Sequence, residues 1–204
     1  MGNQSSKQGT GQKHYSVMKR LFNCLGIRFL VGIGEKNQFD VFQKIEQTLW
    51  LGSLHKKNYG LGWLCTKGKT SLFCFSEIMD ARLYVDIVRR HIPEISQMLG
   101  DDWQFQQDND PKHTSRIAKS FLSDNVPKLM DWPSNSPDLN PIENLWNIVK
   151  TNVEKRLPKN RGDLGQFMKE EWERIPDTVL INLINSMQTR CELVIERNGE
   201  RIPY

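Results

Sequence analysis

The chain has 204 residues, of which 38% are apolar and 25% are charged, with six tryptophans and a net charge of +4. These values are typical of one globular domain and argue against a disordered or fibrous chain, while the modest positive charge permits a polyanionic partner without identifying one. Apolar runs are too short to span a bilayer, and the four cysteines form neither a CxxC pair nor a His/Cys spacing for zinc. We therefore expect an intracellular protein with reduced thiols.

The first predicted elements are a tail and two strands. Residues 1–28 are predicted to form a flexible basic tail, because their first half is rich in Gly, Ser and Gln and has no apolar period. Phe29–Ile33 and Phe39–Phe42 predict two strands that are separated by a turn. Residues 63–75, broken by a glycine, predict a hairpin.

Helical spacing begins at Asp80, the expected N-cap of a helix that Pro93 interrupts. A second short helical piece is expected to end before Gly100. Residues 103–107 alternate apolar and polar side chains as a strand does, and this pattern stops at Asp108. The remaining predictions, in chain order, are a helix over 115–122, a strand over 126–132, and helices over 141–156, 164–174 and 178–195. The succession of strands and helices favours an α/β fold with a mixed sheet.

Two acidic residues stand where such a sheet would place a site. Asp108 follows a strand, at the edge where ligands bind in open α/β sheets. Glu143 occupies the third position of a helix that Asn140 is expected to cap, with Pro141 as its first residue. Carboxylates from separate elements are what a hard cation such as Mg²⁺ needs. Each acid also has a purely structural alternative, since Asp108 could close an Asx-turn and Glu143 could complete a capping box.

The sequence around these two acids, FQQDNDPKHT (105–114) and WPSNSPDLNPIENLW (132–146), resembles the DDE transposases of the Tc1/mariner superfamily. In the Tc1-like branch 34 residues separate the second catalytic Asp from the catalytic Glu, and here 143 − 108 − 1 = 34. The resemblance runs from about Phe29 to Tyr204 and includes GWLCTKG (62–68), IMDARLYVDIV (78–88) and EEWERIP (170–176).

This resemblance implies a catalytic domain over residues 29–204 with an RNase H-like core, in which a mixed β-sheet is flanked by helices and followed by C-terminal helices. The implied activity is metal-dependent DNA cleavage and strand transfer in DNA transposition. Two Mg²⁺ or Mn²⁺ ions would be held by the implied catalytic residues Glu35, Asp108 and Glu143. DNA is the implied partner, the nucleus is the implied compartment, and a homodimer is left open.

The chain departs from the family at the first catalytic position. Glu35 stands where the family has Asp, and the longer side chain should slow a site that tolerates only sub-ångström shifts. The segment between Phe42 and Gly62 is shorter than in the family, which predicts that part of the sheet edge is missing. We also expect the helix-turn-helix modules that recognise transposon ends to be absent before Phe29. The alternative function is therefore a catalytically inactive, transposon-derived remnant that binds nucleic acid or a protein partner.

Basic residues near both acids predict contacts with DNA. Lys112 and His113 follow Asp108, and the resemblance makes them DNA-facing, whereas the alternative makes them turn residues on a solvated rim. A basic cluster also extends the helix of Glu143 into the next loop, and an ordinary solvated face is the alternative there. Its predicted DNA-binding members are Lys150, Lys155 and Arg156, joined by Lys159 and Arg161.

The N-terminal residues MGNQSSK fit the N-myristoylation pattern, with Gly2 as the acceptor. Membrane association would require that modification together with the basic residues nearby, because one myristoyl chain alone binds a bilayer weakly. A lipid-anchored protein that reuses the fold is therefore a third hypothesis.

Overall fold

The structure, a computed structural model, describes residues 41–51, 56–65, 67–130, 139–198 and 200–203, with the backbone alone before Asn58. Within these residues a six-stranded sheet is flanked by five helices. The predicted tail with Gly2 and the predicted strand Phe29–Ile33 lie outside them. In the described part of the chain, none of the helices combines the length and the apolar character that crossing a bilayer needs.

The sheet is mixed, as the sequence predicts. Its strands are β1 (Val41–Leu51), β2 (Lys56–Cys65), β3 (Gly68–Lys69), β4 (Phe73–Phe75), β5 (Gln104–Gln106) and β6 (Lys128–Leu129). The order across the sheet is β3-β2-β1-β5-β6, and β4 also pairs with β2. β2 is antiparallel to β1, whereas β5 is parallel to β1 and β6 is parallel to β5. β1 is therefore an inner strand, paired on both sides.

The helices agree with the predicted ones in number and approximate position from residue 115 onward. The five are α1 (Ala81–Leu99), α2 (Arg116–Asn125), α3 (Ile142–Lys155), α4 (Arg161–Glu173) and α5 (Asp177–Glu196). Asp80 caps α1 as predicted, because its Oδ1 accepts hydrogen bonds from the backbone N–H of Arg82 at 3.0 Å and Leu83 at 2.8 Å.

The expected break at Pro93 is wrong, since α1 continues through it to Leu99. A proline removes one helical hydrogen bond and crowds the preceding turn. Here, however, one face of the helix is buried on both sides of the proline, with Tyr84, Val88 and Ile95 all fully covered. Because most helix stability in proteins comes from packing such a face, its burial outweighs the local loss.

The segment in which we expected part of the sheet edge to be missing contains the longest strand pairing of the described sheet. β1 and β2 pair continuously from Gln43 opposite Leu64 to Leu51 opposite Lys56. The predicted strand at 39–42 overlaps only the start of β1, because VFQKIEQTLWL mixes apolar and polar residues on both faces and shows no period of two. The predicted strand at 126–132 is reduced to β6, and its last two residues lie outside the described part.

Side chains of β2 alternate between two buried layers. Leu61 and Trp63 belong to an apolar cluster that contains residues of α1, β5 and α2. Leu64 points to the opposite face, into a cluster built with α3, α4 and the start of α5. Because helices cover both faces of β2, the sheet lies between two helical layers. The described part of the molecule is therefore a three-layer α/β/α arrangement.

Two glycines of β2 make room for the second layer. A Cβ atom at Gly60 would lie 2.9 Å from Cη2 of Trp146 and 3.0 Å from Cε of Met168. At Gly62 it would lie 3.2 Å from Cζ2 of Trp172. All three distances are tighter than ordinary van der Waals contact, so α3 and α4 pack directly on the bare backbone of the strand.

Candidate active site

Asp108 lies two residues beyond β5, at the carboxyl end of an inner strand. The strand itself is buried, with Phe105 completely covered, whereas the Asp108 side chain is 55% exposed. Parallel strands in an α/β sheet end at a shared edge where ligands bind, and β1 runs parallel alongside. The structure therefore places Asp108 as the sequence predicts, at the solvent edge of the sheet.

The loop after Asp108 is folded by its own polar groups. The backbone N–H of Asp110 donates to Oδ1 of Asp108 at 3.3 Å, and that of Lys112 donates to Oδ1 of Asp110 at 2.9 Å. The N–H groups of His113 and Thr114 then donate to the carbonyl oxygen of Asp110 at 2.9 and 3.0 Å. These Asx-type turns reverse the chain and return residue 113 to Asp108. Asp108 thus closes an Asx-type turn, which was the structural alternative, and also lies at the sheet edge where a site is expected.

His113 lies beneath Asp108 and has no exposed side-chain surface. Its Nδ1 is 2.5 Å from Oδ1 of Asp108, and because an ionised carboxylate can only accept, Nδ1–H is the donor. The ring also packs against that of Tyr84, with 4.3 Å between centroids. The expected DNA-facing position of His113 is corrected accordingly, since a buried ring contacts the carboxylate and leaves no surface for a phosphate. Lys112 stays at the surface, paired with Asp110 at 3.3 Å.

Two buried residues that the sequence did not single out hold His113. The Tyr84 hydroxyl donates to Oε1 of Gln107, and Nε2 of Gln107 donates to the His113 carbonyl oxygen at 3.2 Å. Both side chains are buried. The available signal was Gln107 itself, since a polar residue at the end of an inner strand needs a partner when it is buried.

Glu143 lies in the first turn of α3, as predicted, and its side chain is half-buried. The expected cap is wrong, because the N-cap position is Pro141 and no side chain caps the helix. Asn140 contributes its carbonyl oxygen, which accepts from the Glu143 N–H at 3.3 Å. Its buried Oδ1 has no hydrogen-bond partner among the residues that the structure describes. The first turn is supported from α5 instead, where the buried Arg190 donates from Nη2 to Oδ1 of Asn144 at 2.8 Å.

The third predicted carboxylate, Glu35, lies outside the described residues. Within the described ranges, no three His, Cys, Asp or Glu side chains form a group that could hold a metal ion. Of the three predicted carboxylates, the structure therefore describes two, Asp108 with its buried support and Glu143 in the first turn of α3.

The predicted basic surface divides into two kinds of residue. Lys150 and Lys155 are exposed on α3. Arg156 instead bridges α3 to α4, with Nη2 at 2.5 Å from Oε2 of Glu170, Nη1 at 3.0 Å from Oε1 of Glu171, and its guanidinium over the Phe167 ring. The hydrogen bond from Arg156 lowers the pKa of Glu170, and the same bond raises the pKa of Arg156. Arg156 thus contributes to helix packing, whether or not it also contacts DNA.

A groove of about 460 Å³ lies away from these acids, between β2, β4 and α4. Its lining includes Cys74 and Lys169. Burial raises the pKa of the Cys74 thiol to about 11, although Lys169 acts in the opposite direction. At neutral pH the thiol is protonated, so it is a poor nucleophile and a poor metal ligand.

Residues 52–165, more than half of the chain, match the family described as DDE superfamily endonuclease. Among curated relatives, the Tcb2 transposase of Caenorhabditis briggsae is 38% identical over 145 residues, which are 70% of this chain and 53% of that protein. The Tc1 transposase of Caenorhabditis elegans is 40% identical over 128 residues, which are 62% of this chain and 47% of that protein. The chain spans about half the length of the curated relatives it matches.

The fold is similar to solved structures of the Mos1 transposase. Its catalytic domain with Raltegravir and Mg is 16% identical, with a TM-score of 0.73 over 98% of this chain and 100% of that chain. The pre-cleavage Mos1 transpososome is 13% identical, with a TM-score of 0.79 over 93% of this chain and 62% of that chain. At these identities the likeness shows the fold alone, an RNase H-like core. The family match and the sequence identities add the membership: the chain belongs to the DDE superfamily endonuclease family, as a Tc1/mariner transposase catalytic domain.

Proposed function

We propose that this chain is the catalytic part of a Tc1-like transposase that cleaves DNA and transfers the cleaved strand in a metal-dependent reaction. The observation that carries the proposal is Asp108 at the end of an inner strand, with its carboxylate held by the buried His113. Glu143, in the first turn of α3, supplies the second acid at the spacing of the Tc1-like branch. The relatives support the proposal because they are transposable-element transposases.

The donors fit a divalent metal in their chemistry. Asp108 offers an exposed carboxylate, Glu143 a half-buried one, and the buried Asn140 Oδ1 next to α3 is a further oxygen. Oxygen donors are what Mg²⁺ and Mn²⁺ prefer. We propose that Asp108 and Glu143 hold the metal, with Glu35 as the third carboxylate. When bound, two such ions activate the attacking oxygen and stabilise the leaving oxygen of a phosphodiester.

The remaining residues of the site have binding and positioning roles in this proposal. Lys112 lies at the surface in the loop that follows Asp108, where its ammonium group can contact a DNA phosphate. Lys150 and Lys155 are exposed farther along α3, the helix whose first turn contains Glu143. Mos1 structures that include a paired-end complex with Mn support both the DNA partner and the metal. A chain that acts on genomic DNA would work in the nucleus, while a homodimer and modification of Gly2 stay predictions.

The proposal is tested by DNA nicking. Purified full-length chain is incubated with supercoiled plasmid and Mn²⁺, and conversion to open circles is measured on gels. We expect Asp108→Ala to lower the rate at least about 100-fold, because a metal site cannot tolerate loss of a ligand. Asp124→Ala, which removes an exposed carboxylate from α2, is the matched control and should leave nicking unchanged. Equal nicking by wild type and Asp108→Ala would contradict the proposal.

The role of Glu35 is tested in the same assay. If Glu35 is the first carboxylate, Glu35→Ala should abolish nicking and Glu35→Asp should increase it, since Asp is the residue that the family uses there. Glu46→Ala serves as the control, because Glu46 is the acid within β1. If wild type and every variant fail to nick but still shift DNA on a native gel, the chain is a nucleic-acid-binding remnant.

A further inference from the structure

Asp108 is attached to a chain of buried contacts that starts on another element. Asp80 caps α1 and its carbonyl oxygen accepts from the Tyr84 N–H at 3.0 Å, which fixes Tyr84 in the first turn. The Tyr84 hydroxyl donates to Gln107, Gln107 donates to the backbone of His113, and the His113 ring donates to Asp108. Every side chain between Asp80 and Asp108 in this series is buried.

We infer that His113 is a positioning residue that fixes the orientation of the Asp108 carboxylate for metal binding, and that Tyr84 and Gln107 in turn fix His113. The inference rests on the proposed function, because it assigns Asp108 as a metal ligand. It adds residues that do not touch the metal themselves and that lie outside the carboxylate set.

The physical argument concerns the freedom of an exposed carboxylate. An aspartate side chain has two rotatable bonds, and with 55% of its surface exposed Asp108 has room to turn. His113 Nδ1–H and the Asp110 N–H both donate to the same oxygen, Oδ1, so they hold that oxygen in place and restrict rotation of the carboxylate. Partners that orient metal ligands in this way are typically worth about 10–100-fold in metal affinity.

His113 can provide this orientation because two separate contacts fix its own position. Its ring is enclosed and packed against Tyr84, and its carbonyl oxygen is held by Gln107, the residue directly before Asp108. A ring that was held only by Asp108 would move with the carboxylate. Because His113 is held by Tyr84 of α1 and by Gln107, movement of Asp108 requires breaking its hydrogen bond to a buried donor, which is costly.

The test compares two substitutions of similar size. His113→Asn retains an amide N–H near the position of Nδ1, whereas His113→Leu has no donor. Affinity for Mn²⁺ alone is measured on the full chain from the free-Mn²⁺ EPR signal, with Asp108→Asn as the reference and thermal unfolding as a check on folding. We expect about a 10–100-fold loss for His113→Leu and recovery of most of the affinity in His113→Asn.

A second measurement does not depend on metal or activity. Nitrogen NMR of the unmodified protein should show His113 protonated at Nδ1. In the Mn²⁺ titration, Tyr84→Phe, which keeps the ring packing, should weaken binding in the same direction as His113→Leu. A His113 ring without a proton on Nδ1 would overturn the inference.

The outcomes separate the inference from the proposed function. If Asp108→Asn abolishes Mn²⁺ binding but His113→Leu binds like wild type, the inference is wrong and the proposed function stands. If His113→Asn and His113→Leu lose affinity equally, His113 is only a packing residue and the inference is again wrong. If Asp108→Asn leaves Mn²⁺ binding unchanged, Asp108 is not a ligand and the proposed function fails with it.

Discussion

Gly60 leaves no space for a methyl group, because Trp146 and Met168 already lie within 3.0 Å of where its Cβ would be. We predict that Gly60→Ala lowers the free energy of unfolding by about 1–3 kcal/mol, the usual effect of overpacking a core. Urea unfolding measures the loss. Adding Trp146→Phe to the same chain removes the clashing Cη2 atom and should recover part of the stability. A double variant whose loss in free energy of unfolding exceeds the sum of the two single losses would contradict this packing argument.

Individual site residues differ in how far the sequence predicts them. Asp108 and Glu143 are identifiable from motif and spacing, since a strand end and a helix start are local features. The burial of His113 could not be predicted from the sequence, because the exposure of a turn residue depends on what packs against it. Here the contact comes from Tyr84, on a helix that lies much earlier in the chain. The predicted cap at Asn140 is wrong because an Asn side chain caps a helix only where the backbone geometry brings it within reach of the first N–H groups.

The contact between α3 and α4 depends on the ionised form of Glu170. The hydrogen bond from Arg156 is the main cause that lowers the pKa of Glu170. A lowered pKa in the folded state stabilises the folded protein at pH values above the ordinary glutamate pKa of 4.5, and this contribution is lost as the pH falls through the folded-state pKa. We predict that wild type is more stable than Glu170→Gln at pH 7 and that the two thermal midpoints converge toward pH 3. Glu173→Gln, an exposed site on the same helix, should show no such convergence. A constant difference between wild type and Glu170→Gln would refute the assignment.

Helices and strands were predicted with unequal success. Amphipathic helices such as α3 and α5 are visible because their buried faces repeat along the sequence. β1 was largely missed, since an inner strand is identified by its partners on both sides and its own residues mix polar and apolar types on each face. The break expected at Pro93 was a local inference that the packing of α1 overrides.

The two apolar layers of the molecule share β2, so they should unfold together. Trp63 and Trp103 belong to the layer of α1, and Trp146 and Trp172 belong to the layer of α3 and α4. With 5-fluorotryptophan incorporated, we predict that the ¹⁹F signals of both pairs lose intensity at one urea concentration, as a single cooperative transition requires. Signals are assigned from single Trp→Phe variants. Two separate midpoints would mean that the layers are independent units.

The support that α5 gives to α3 also bears on where this domain ends. The family match stops at residue 165, yet Arg190 on α5 donates to Asn144, next to Glu143, and the side chain of Lys69 donates to the carbonyl oxygen of Ile175. A polypeptide trimmed to the matched segment would leave Asn144 without this buried donor. The folded domain thus extends beyond the segment that the family match covers, and the first turn of α3, where Glu143 lies, contacts a helix outside that segment.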